Sequence, residues 1–284
     1  MIREYYKLTK PGIIRGNLIA ALAGFFLASQ GDIDLLLLIF TMLGTSLVIA
    51  CGCVVNNYFD QYIDSKMPRT KNRALVTGKI SNQNALVFAF IIGIIGTGLL
   101  IVFVNVLTAV IGLFGLFAYV VLYGLGKRRT VHGTLIGTIS GAVPPVAGYT
   151  AVSGSIDQAA IILFLILVFW QMPHFYAIAL FRQKDYAAAN LPVLPVVKGV
   201  RITKAHIFAY IIGFGLVSSL LYVYDYVSVL YLIVVSALTI IWIYYWFKDI
   251  KSSNVVAWAR RLFGVSLIVL LGTCVVIGID SFIF

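Results

Sequence analysis

Charge is the property that this sequence lacks most. Lys, Arg, Asp and Glu together make up 11% of its 284 residues, whereas an ordinary soluble domain contains about 25%. Hydrophobic residues make up 61%, and a soluble protein of this size would expose large apolar patches to accommodate them. The shortage of charge therefore excludes a soluble globular domain and predicts a protein that lies within a membrane.

Cysteine is also rare, with three residues in the chain. Cys51 and Cys53 lie in one apolar run, where helix residues two positions apart point about 200° away from each other. They cannot bind one metal ion together, which excludes a metal site built from this pair. We expect both of them, and Cys274, to be small buried hydrophobic residues.

Long apolar runs make up most of the chain. Nine runs, bounded by charged or turn residues, have about the length that a bilayer requires: 12–30, 34–57, 82–104, 106–125, 131–151, 157–181, 206–224, 226–247 and 260–279. The sequence therefore predicts an all-α polytopic membrane protein with nine transmembrane helices. Eight helices are the alternative, because the turns after the third and seventh runs are very short.

The basic residues lie on one side of these runs. If the N-terminus is cytoplasmic, all 21 Lys and Arg residues fall on the cytoplasmic side. The opposite side has no basic residue and five acids, namely Asp32, Asp34, Asp157, Asp225 and Asp280. Because cytoplasmic loops are enriched in Lys and Arg, we expect a cytoplasmic N-terminus and a periplasmic C-terminus. The net charge of +11 then reflects topology and contact with membrane lipid, and it excludes nucleic acid as a partner.

Two cytoplasmic connections, about 58–81 and 182–205, are long, and each follows a run whose last turns become polar. We therefore expect them to form two halves of one site. Before the first connection, Asn56, Asp60 and Asp64 are spaced four residues apart, which places all three side chains on one helix face. Two carboxylates one turn apart repel each other without a cation between them.

Magnesium is the cation that suits this face best. It takes few protein carboxylates, keeps several waters and completes its shell with phosphate oxygens. Downstream basic residues offer donors for the remaining phosphate charge: Lys66, Arg69, Lys71 and Arg73. The pattern predicts a magnesium–diphosphate site, and the alternative is a solvated helix end whose acids are neutralised by nearby Lys and Arg.

The second connection begins after Trp170-Gln-Met-Pro-His174-Phe-Tyr176. An intramembrane histidine such as His174 is a candidate functional residue, with an interhelical hydrogen bond as the alternative. Arg182 and Asp185 are one turn apart and are predicted to pair. Asn17 lies at the depth of the proposed site, and its side chain either forms a hydrogen bond to another helix or contacts the ligand in the site. The run Gly141-Ala-Val-Pro-Pro-Val-Ala-Gly148 predicts either the kinked wall of a chamber or tight packing of small residues.

On these residues the chain resembles the UbiA superfamily of intramembrane prenyltransferases, and specifically its haem-prenylating branch. The resemblance extends over nearly the full length: Thr9-Lys-Pro-Gly12, Asn56-Asn-Tyr-Phe-Asp60 through Asp64, Met67-Pro-Arg-Thr-Lys-Asn-Arg73, Lys127-Arg-Arg-Thr130, Gly141 to Pro145, Trp170 to Phe175, Lys184-Asp-Tyr186 and Ala259-Arg-Arg-Leu-Phe263. It implies a single integral-membrane prenyltransferase domain over 1–284, with nine helices around a central cavity.

The resemblance also implies substrates and roles for residues. Farnesyl diphosphate would be held through Mg²⁺ by Asn56, Asp60 and Asp64, and haem B would accept the farnesyl group. The other expected site residues are His174 and Tyr176 for haem positioning, Arg182 and Lys184 for diphosphate, and Asn17, Asp185 and Tyr186 as further candidates. A bacterial inner membrane is the implied location, and a haem A synthase or terminal oxidase is the implied downstream partner.

One departure from the superfamily pattern concerns the second connection. Many members carry a second aspartate pair there, whereas this chain has Arg182, Lys184 and only Asp185, so we expect no second metal ion bound wholly by protein. Two alternatives remain open: an aromatic or quinone precursor as acceptor, and a transporter. Against transport, no ionisable acid or base lies at the predicted membrane midplane.

Overall fold

The computed structural model describes residues 1–283. Within this range the chain is helical and has no β-strand. Nine of its helices are long and apolar enough to cross a membrane: α1 (Pro11–Ser29), α2 (Leu35–Phe59), α3 (Asn82–Phe103), α4 (Val106–Arg129), α5 (Gly133–Ser153), α6 (Gln158–Phe181), α7 (Gly199–Val223), α8 (Val229–Phe247) and α9 (Val255–Asp280). The prediction of nine spans is confirmed, although α7 begins before the predicted residue 206 and α9 before residue 260.

Four short helices lie outside these spans: Ile2–Leu8, Gln61–Lys66, Gln183–Ala188 and Leu194–Val197. Side chains cap many of the longer helices, and Asp34 and Asp157 accept hydrogen bonds from the first backbone N–H groups of α2 and α6. Asp280 accepts hydrogen bonds from the backbone N–H and the hydroxyl of Ser228, the N-cap residue of α8. Three of the acids on the predicted periplasmic side therefore hold helix ends.

The nine helices close into a bundle. Each packs against its neighbour in sequence, α9 returns to pack against α1, and α1–α5 and α6–α9 contacts cross the interior. Helices α5 and α6 are the most buried, and α3 and α8 the least. Large apolar side chains such as Phe90 and Ile94 on α3 and Ile240 on α8 are exposed, as expected for helices that face lipid. The three cysteines are free and buried, as predicted.

Helix α5 is interrupted at Ala142, two residues before Pro144 and Pro145. Its C-terminal half is pressed against α1: a Cβ on Gly24 would lie 1.9 Å from the Pro145 carbonyl oxygen, and a Cβ on Gly148 would lie 1.9 Å from that of Ala21. Only glycine permits this backbone contact. Tight small-residue packing and a kinked helix therefore occur together, and the kink positions the wall of the cavity described next.

Candidate active site

A cavity of about 480 Å³ lies between the helices, within the size range of small-molecule sites. Its wall comes from α1, α2, α4, α5, α6 and α9, and from Tyr186 to Val193 in the second connection. Most of the wall is apolar. The polar groups that reach it include Asn17, Lys127, Gln171, His174 and Tyr186.

The predicted acidic face lies beside this cavity. Helix α2 ends at Phe59 and the next short helix begins at Gln61, but the helical backbone hydrogen bonds continue from Asp60 N to Asn56 O (3.0 Å) and from Asp64 N to Asp60 O (2.8 Å). Asn56, Asp60 and Asp64 therefore keep the one-turn spacing that the sequence predicts, and all three are buried. Cys53, one turn before Asn56, lines the cavity itself.

Asp60 is paired with two basic residues at the end of α4. Lys127 Nζ lies 2.5 Å from its Oδ2, and Arg128 Nη2 lies 3.2 Å from its Oδ1. Lys127 also lines the cavity, so one ammonium group contacts both the acid and the substrate chamber. The turn before it, Ala118–Tyr123, is a π-helix, a widened geometry that is frequent at functional sites.

The other two members of the face are also paired with bases. Arg73 Nη1 lies 2.5 Å from Asp64 Oδ2, and Lys10 Nζ donates to Asn56 Oδ1 at 2.7 Å. The alternative of acids neutralised by nearby Lys and Arg thus describes the pairing correctly, but Asn56, Asp60 and Asp64 are buried rather than solvated. Buried charges held in this way are a strong indication of a binding site.

Lys10 is held in an unusual backbone conformation. Its φ of 53° and ψ of 64° are left-handed, although L-residues other than glycine avoid this region and a residue before proline favours an extended one. Loss of hydration lowers the pKa of the Lys10 ammonium to about 8. Strain and desolvation at one residue indicate that its position is fixed for function. The sequence included Lys10 in the segment Thr9-Lys-Pro-Gly12 but assigned it no role.

The two long connections meet, as predicted. Met67 of the first packs with Ala189 and Leu191 of the second, and Ile63 and Tyr186 pack against them. This small apolar cluster places Tyr186 at the cavity. Burial raises the pKa of the Tyr186 hydroxyl, which therefore stays protonated and able to donate a hydrogen bond.

The remaining predicted diphosphate ligands lie farther out. Lys66, Arg69 and Lys71 are exposed, and Lys66 lies over the Tyr62 ring. Arg182 is 43% exposed and pairs with Asp185 at 3.6 Å, as the spacing predicted. None of these residues, nor the exposed Lys184, lines the cavity. Within residues 1–283, Arg73 is the one basic residue among those expected to bind diphosphate that pairs with the acidic face.

His174 lies on α6, at the wall of the cavity. Its Nδ1 is 2.8 Å from Ser266 Oγ on α9, and its ring lies between those of Trp170 and Phe263, with both centroids 4.8 Å away. The interhelical hydrogen bond and the site position, given as alternatives by the sequence, thus occur together. Gln171, one turn earlier, is also buried at the wall.

Two expected site residues behave differently from His174. Tyr176 does not line the cavity, and it packs against His206 and Tyr210 of α7. The reason is geometric: residues two apart on a helix point to opposite sides, so Tyr176 cannot share the face of His174. Asn17 lines the cavity, and its amide nitrogen donates to the Ile13 carbonyl of its own helix at 2.9 Å. Within residues 1–283 its side chain makes no hydrogen bond to another helix, and its amide oxygen is a site candidate.

The acidic face fits a magnesium ion that is shared with a phosphate ligand. Two carboxylates and an amide oxygen are hard oxygen donors, which magnesium prefers, and they are too few for a cage made of protein alone. In residues 1–283 there is no group of three or more His, Cys, Asp or Glu side chains placed to hold a metal. Phosphate oxygens would have to complete the coordination, and the surrounding bases provide the charge to hold them.

Known proteins match this chain over nearly all of its length. A profile of the UbiA prenyltransferase family matches residues 17–268. The chain belongs to this family. Protoheme IX farnesyltransferases from Yersinia pseudotuberculosis (serotype O:1b, strain IP 31758) and Escherichia coli (O139:H28) are 49% and 50% identical to it over 281 residues, which cover 99% of this chain and 95% of each relative.

Solved structures of more distant members share the UbiA fold. A digeranylgeranylglyceryl phosphate synthase superposes with a TM-score of 0.81 at 21% identity, covering 100% of this chain and 99% of its own. A UbiA homologue from Archaeoglobus fulgidus, bound to GPP and Mg²⁺, superposes with a TM-score of 0.68 at 16% identity, covering 96% of this chain and 99% of its own. The chain is therefore an integral-membrane prenyltransferase, which removes a transporter as the alternative.

Proposed function

We propose that this protein transfers a farnesyl group from farnesyl diphosphate to a vinyl group of haem B, giving haem O and diphosphate. The observation that carries the proposal is 49–50% identity, over 99% of the chain, to relatives named protoheme IX farnesyltransferase. The buried acid–base cluster beside an apolar cavity supports it, because a prenyl diphosphate has one strongly anionic end and one long apolar end.

The diphosphate end would lie at the acidic face. Asn56, Asp60 and Asp64 would hold Mg²⁺, which when bound draws electron density from the diphosphate oxygens and so makes the diphosphate a better leaving group. Lys10, Lys127 and the other bases now paired with these side chains would exchange to the diphosphate oxygens. Their charge would then stabilise the negative charge that develops as the allylic C–O bond breaks.

The farnesyl end would lie in the cavity, whose mostly apolar wall would exclude most of the water that could capture a carbocation. The ring faces of Tyr119 and Tyr123, whose centroids are 5.8 Å apart, line this space and would stabilise the positive charge. The bond between the allylic carbon and the diphosphate oxygen breaks, and its electron pair leaves with diphosphate. The vinyl π electrons then form the new C–C bond, and water adds to the resulting cation and releases a proton.

The acceptor would lie against α6, where Gln171 and His174 share one face at the wall. We assign His174 to haem positioning. Arg182 and Lys184 remain candidates for the entering diphosphate from the cytoplasmic surface, while Tyr186 is a hydrogen-bond donor closer to the cavity. An aromatic or quinone precursor is the second candidate acceptor. Its prenylation would use the same diphosphate chemistry, so the two candidate reactions differ only in the molecule that binds at this end of the site.

The orientation and location belong to the same proposal. With the N-terminus in the cytoplasm, the acidic face and both long connections meet soluble farnesyl diphosphate, and the chain spans the bacterial inner membrane as one prenyltransferase domain. The product would pass to a haem A synthase or a terminal oxidase. Pigment analysis of host membranes tests the reaction: haem O should accumulate with this chain and disappear with Asp64→Asn, and unchanged pigments in both cases would refute it.

A further inference from the structure

The hydroxyl of Ser266 on α9 has only one hydrogen, and the two contacts of its oxygen determine which acceptor receives it. Ser266 Oγ is 2.6 Å from the Phe263 carbonyl oxygen, and a carbonyl only accepts, so the hydroxyl donates to it. Ser266 Oγ is also 2.8 Å from His174 Nδ1. Because the hydroxyl hydrogen is already engaged, the histidine must donate in this second contact. Nδ1 therefore carries the proton.

A neutral imidazole with its proton on Nδ1 has a free lone pair on Nε2. In residues 1–283 no protein group forms a hydrogen bond with that Nε2, and His174 lines the cavity. The Nδ1 edge of the ring faces Ser266, which is fully buried, so the opposite edge, with Nε2, is the one available to a ligand. A lone pair with no proton binds a metal ion or accepts a hydrogen bond, and it repels a carboxylate.

The ring is also fixed in direction. Trp170 and Phe263 lie on either side of it, and the Trp170 indole N–H donates to the Ser266 carbonyl oxygen at 2.7 Å. Ser266 thus fixes the tautomer of His174 through its hydroxyl and the position of the Trp170 ring through its carbonyl oxygen. Metal-binding histidines in proteins usually have this arrangement, in which the second ring nitrogen donates to a fixed acceptor.

The geometry points to His174 Nε2 as an axial ligand of the haem iron, with Ser266 as the positioning residue that sets its tautomer. This inference rests on the proposed function, since it requires haem as the acceptor. It excludes a propionate hydrogen bond as the role of His174, because a carboxylate needs a donor and Nε2 offers none. Ligation through iron would fix the porphyrin relative to α6 and so determine which of its edges meets the farnesyl group.

The test uses the full chain purified in lipid nanodiscs and titrated with haem B, and with iron-free protoporphyrin IX as the matched ligand. Wild-type protein should give the absorption bands of histidine-ligated haem, and its iron–nitrogen Raman band should shift when histidine is labelled with ¹⁵N. His174→Ala should lose these bands and regain them with added imidazole. Ser266→Ala should bind haem about 10-fold more weakly, and both variants should bind protoporphyrin IX as the wild type does.

Thr273→Val is the control on the same helix, two turns further along, where a buried hydroxyl has no hydrogen-bond partner within residues 1–283; it should change neither affinity nor spectrum. Histidine bands that persist in His174→Ala would overturn the ligation. Wild-type haem affinity in Ser266→Ala, or an equal loss for protoporphyrin IX, would overturn the role of Ser266. Wild-type protein that binds haem without histidine bands overturns the inference alone, whereas wild-type protein that binds no haem overturns the proposed function as well.

Discussion

The Lys127 ammonium lies 2.5 Å from the Asp60 carboxylate, although the two residues are 67 positions apart in the chain. This contact joins the ends of α2 and α4 at the mouth of the cavity. It gives the buried Asp60 carboxylate a counter-charge, and in the proposed reaction it places a cation where the diphosphate would bind. The predictions below follow from that arrangement.

Lys127→Gln should lower kcat/KM for farnesyl diphosphate by about 100-fold, the usual effect of removing one preorganised charge from a transition state. Arg129→Gln, which changes an exposed neighbour, should have wild-type activity.

Arg182→Gln should weaken farnesyl diphosphate binding less than about fivefold, because exposed ion pairs contribute at most about 1 kcal/mol. It should leave haem binding unchanged. Steady-state kinetics on membranes normalised for protein content would measure all three, and a wild-type rate in Lys127→Gln would contradict the assignment.

Asp60→Asn and Asp64→Asn should each lower prenyl transfer by about 100- to 1,000-fold, because each removes a negative charge that the metal needs. Asn56→Ala removes only a neutral ligand, and a loss of about 10-fold is expected. Asp249→Asn is the control, since Asp249 pairs with Arg261 on the exposed surface. Protein yield in the membrane should be the same in all four variants. Near-normal turnover in both aspartate variants would remove the acidic face from the mechanism.

Lys10→Gly should separate stability from activity. Glycine relieves the left-handed strain, about 1 kcal/mol, so thermal unfolding should occur at no lower temperature than in the wild type. Activity should still fall about 10-fold, because the charge facing Asn56 and the diphosphate is lost. Asp225→Gly relieves a similar φ of 58° at an exposed residue far from the site, and it should retain full activity. Equal activity in the two variants would show that Lys10 has no role beyond structure.

Cysteine labelling tests the orientation of the bundle. In a background with the three buried native cysteines replaced, Lys71→Cys and Asn190→Cys should react with an impermeant reagent only from the cytoplasmic side. Asp32→Cys and Ser155→Cys should react only from the periplasmic side. All four positions are exposed in the structure. Labelling of both pairs from the same side would mean that the spans are counted incorrectly.

Local patterns in the sequence predicted much of this molecule. Hydrophobic length determined the nine spans, and the four-residue spacing of Asn56, Asp60 and Asp64 survives the break between two helices because the backbone hydrogen bonds continue through it. The same helical geometry could have excluded Tyr176 from the face of His174. These features depend on neighbours a few residues away, which a sequence displays directly.

The partners of those residues could not be predicted in the same way. Lys10 reaches Asn56 across 46 residues, and Ser266 reaches His174 across 92. Such contacts arise from how the helices are arranged in the bundle, and no periodicity encodes that arrangement. The hydrophobic pattern also does not predict the π-helical turn Ala118–Tyr123, since this turn changes the direction of the side chains without changing their polarity.

Prenylation by purified protein tests the proposed reaction most directly. The full chain in nanodiscs would be incubated with farnesyl diphosphate, Mg²⁺ and an equal mixture of haem B and 4-hydroxybenzoate, with a chelator in a parallel sample. Haem O should form and prenylated benzoate should not, and the chelator should stop the reaction. Prenylation of 4-hydroxybenzoate with haem B left unchanged would contradict haem as the acceptor, and undiminished haem O formation in the chelated sample would contradict the magnesium site.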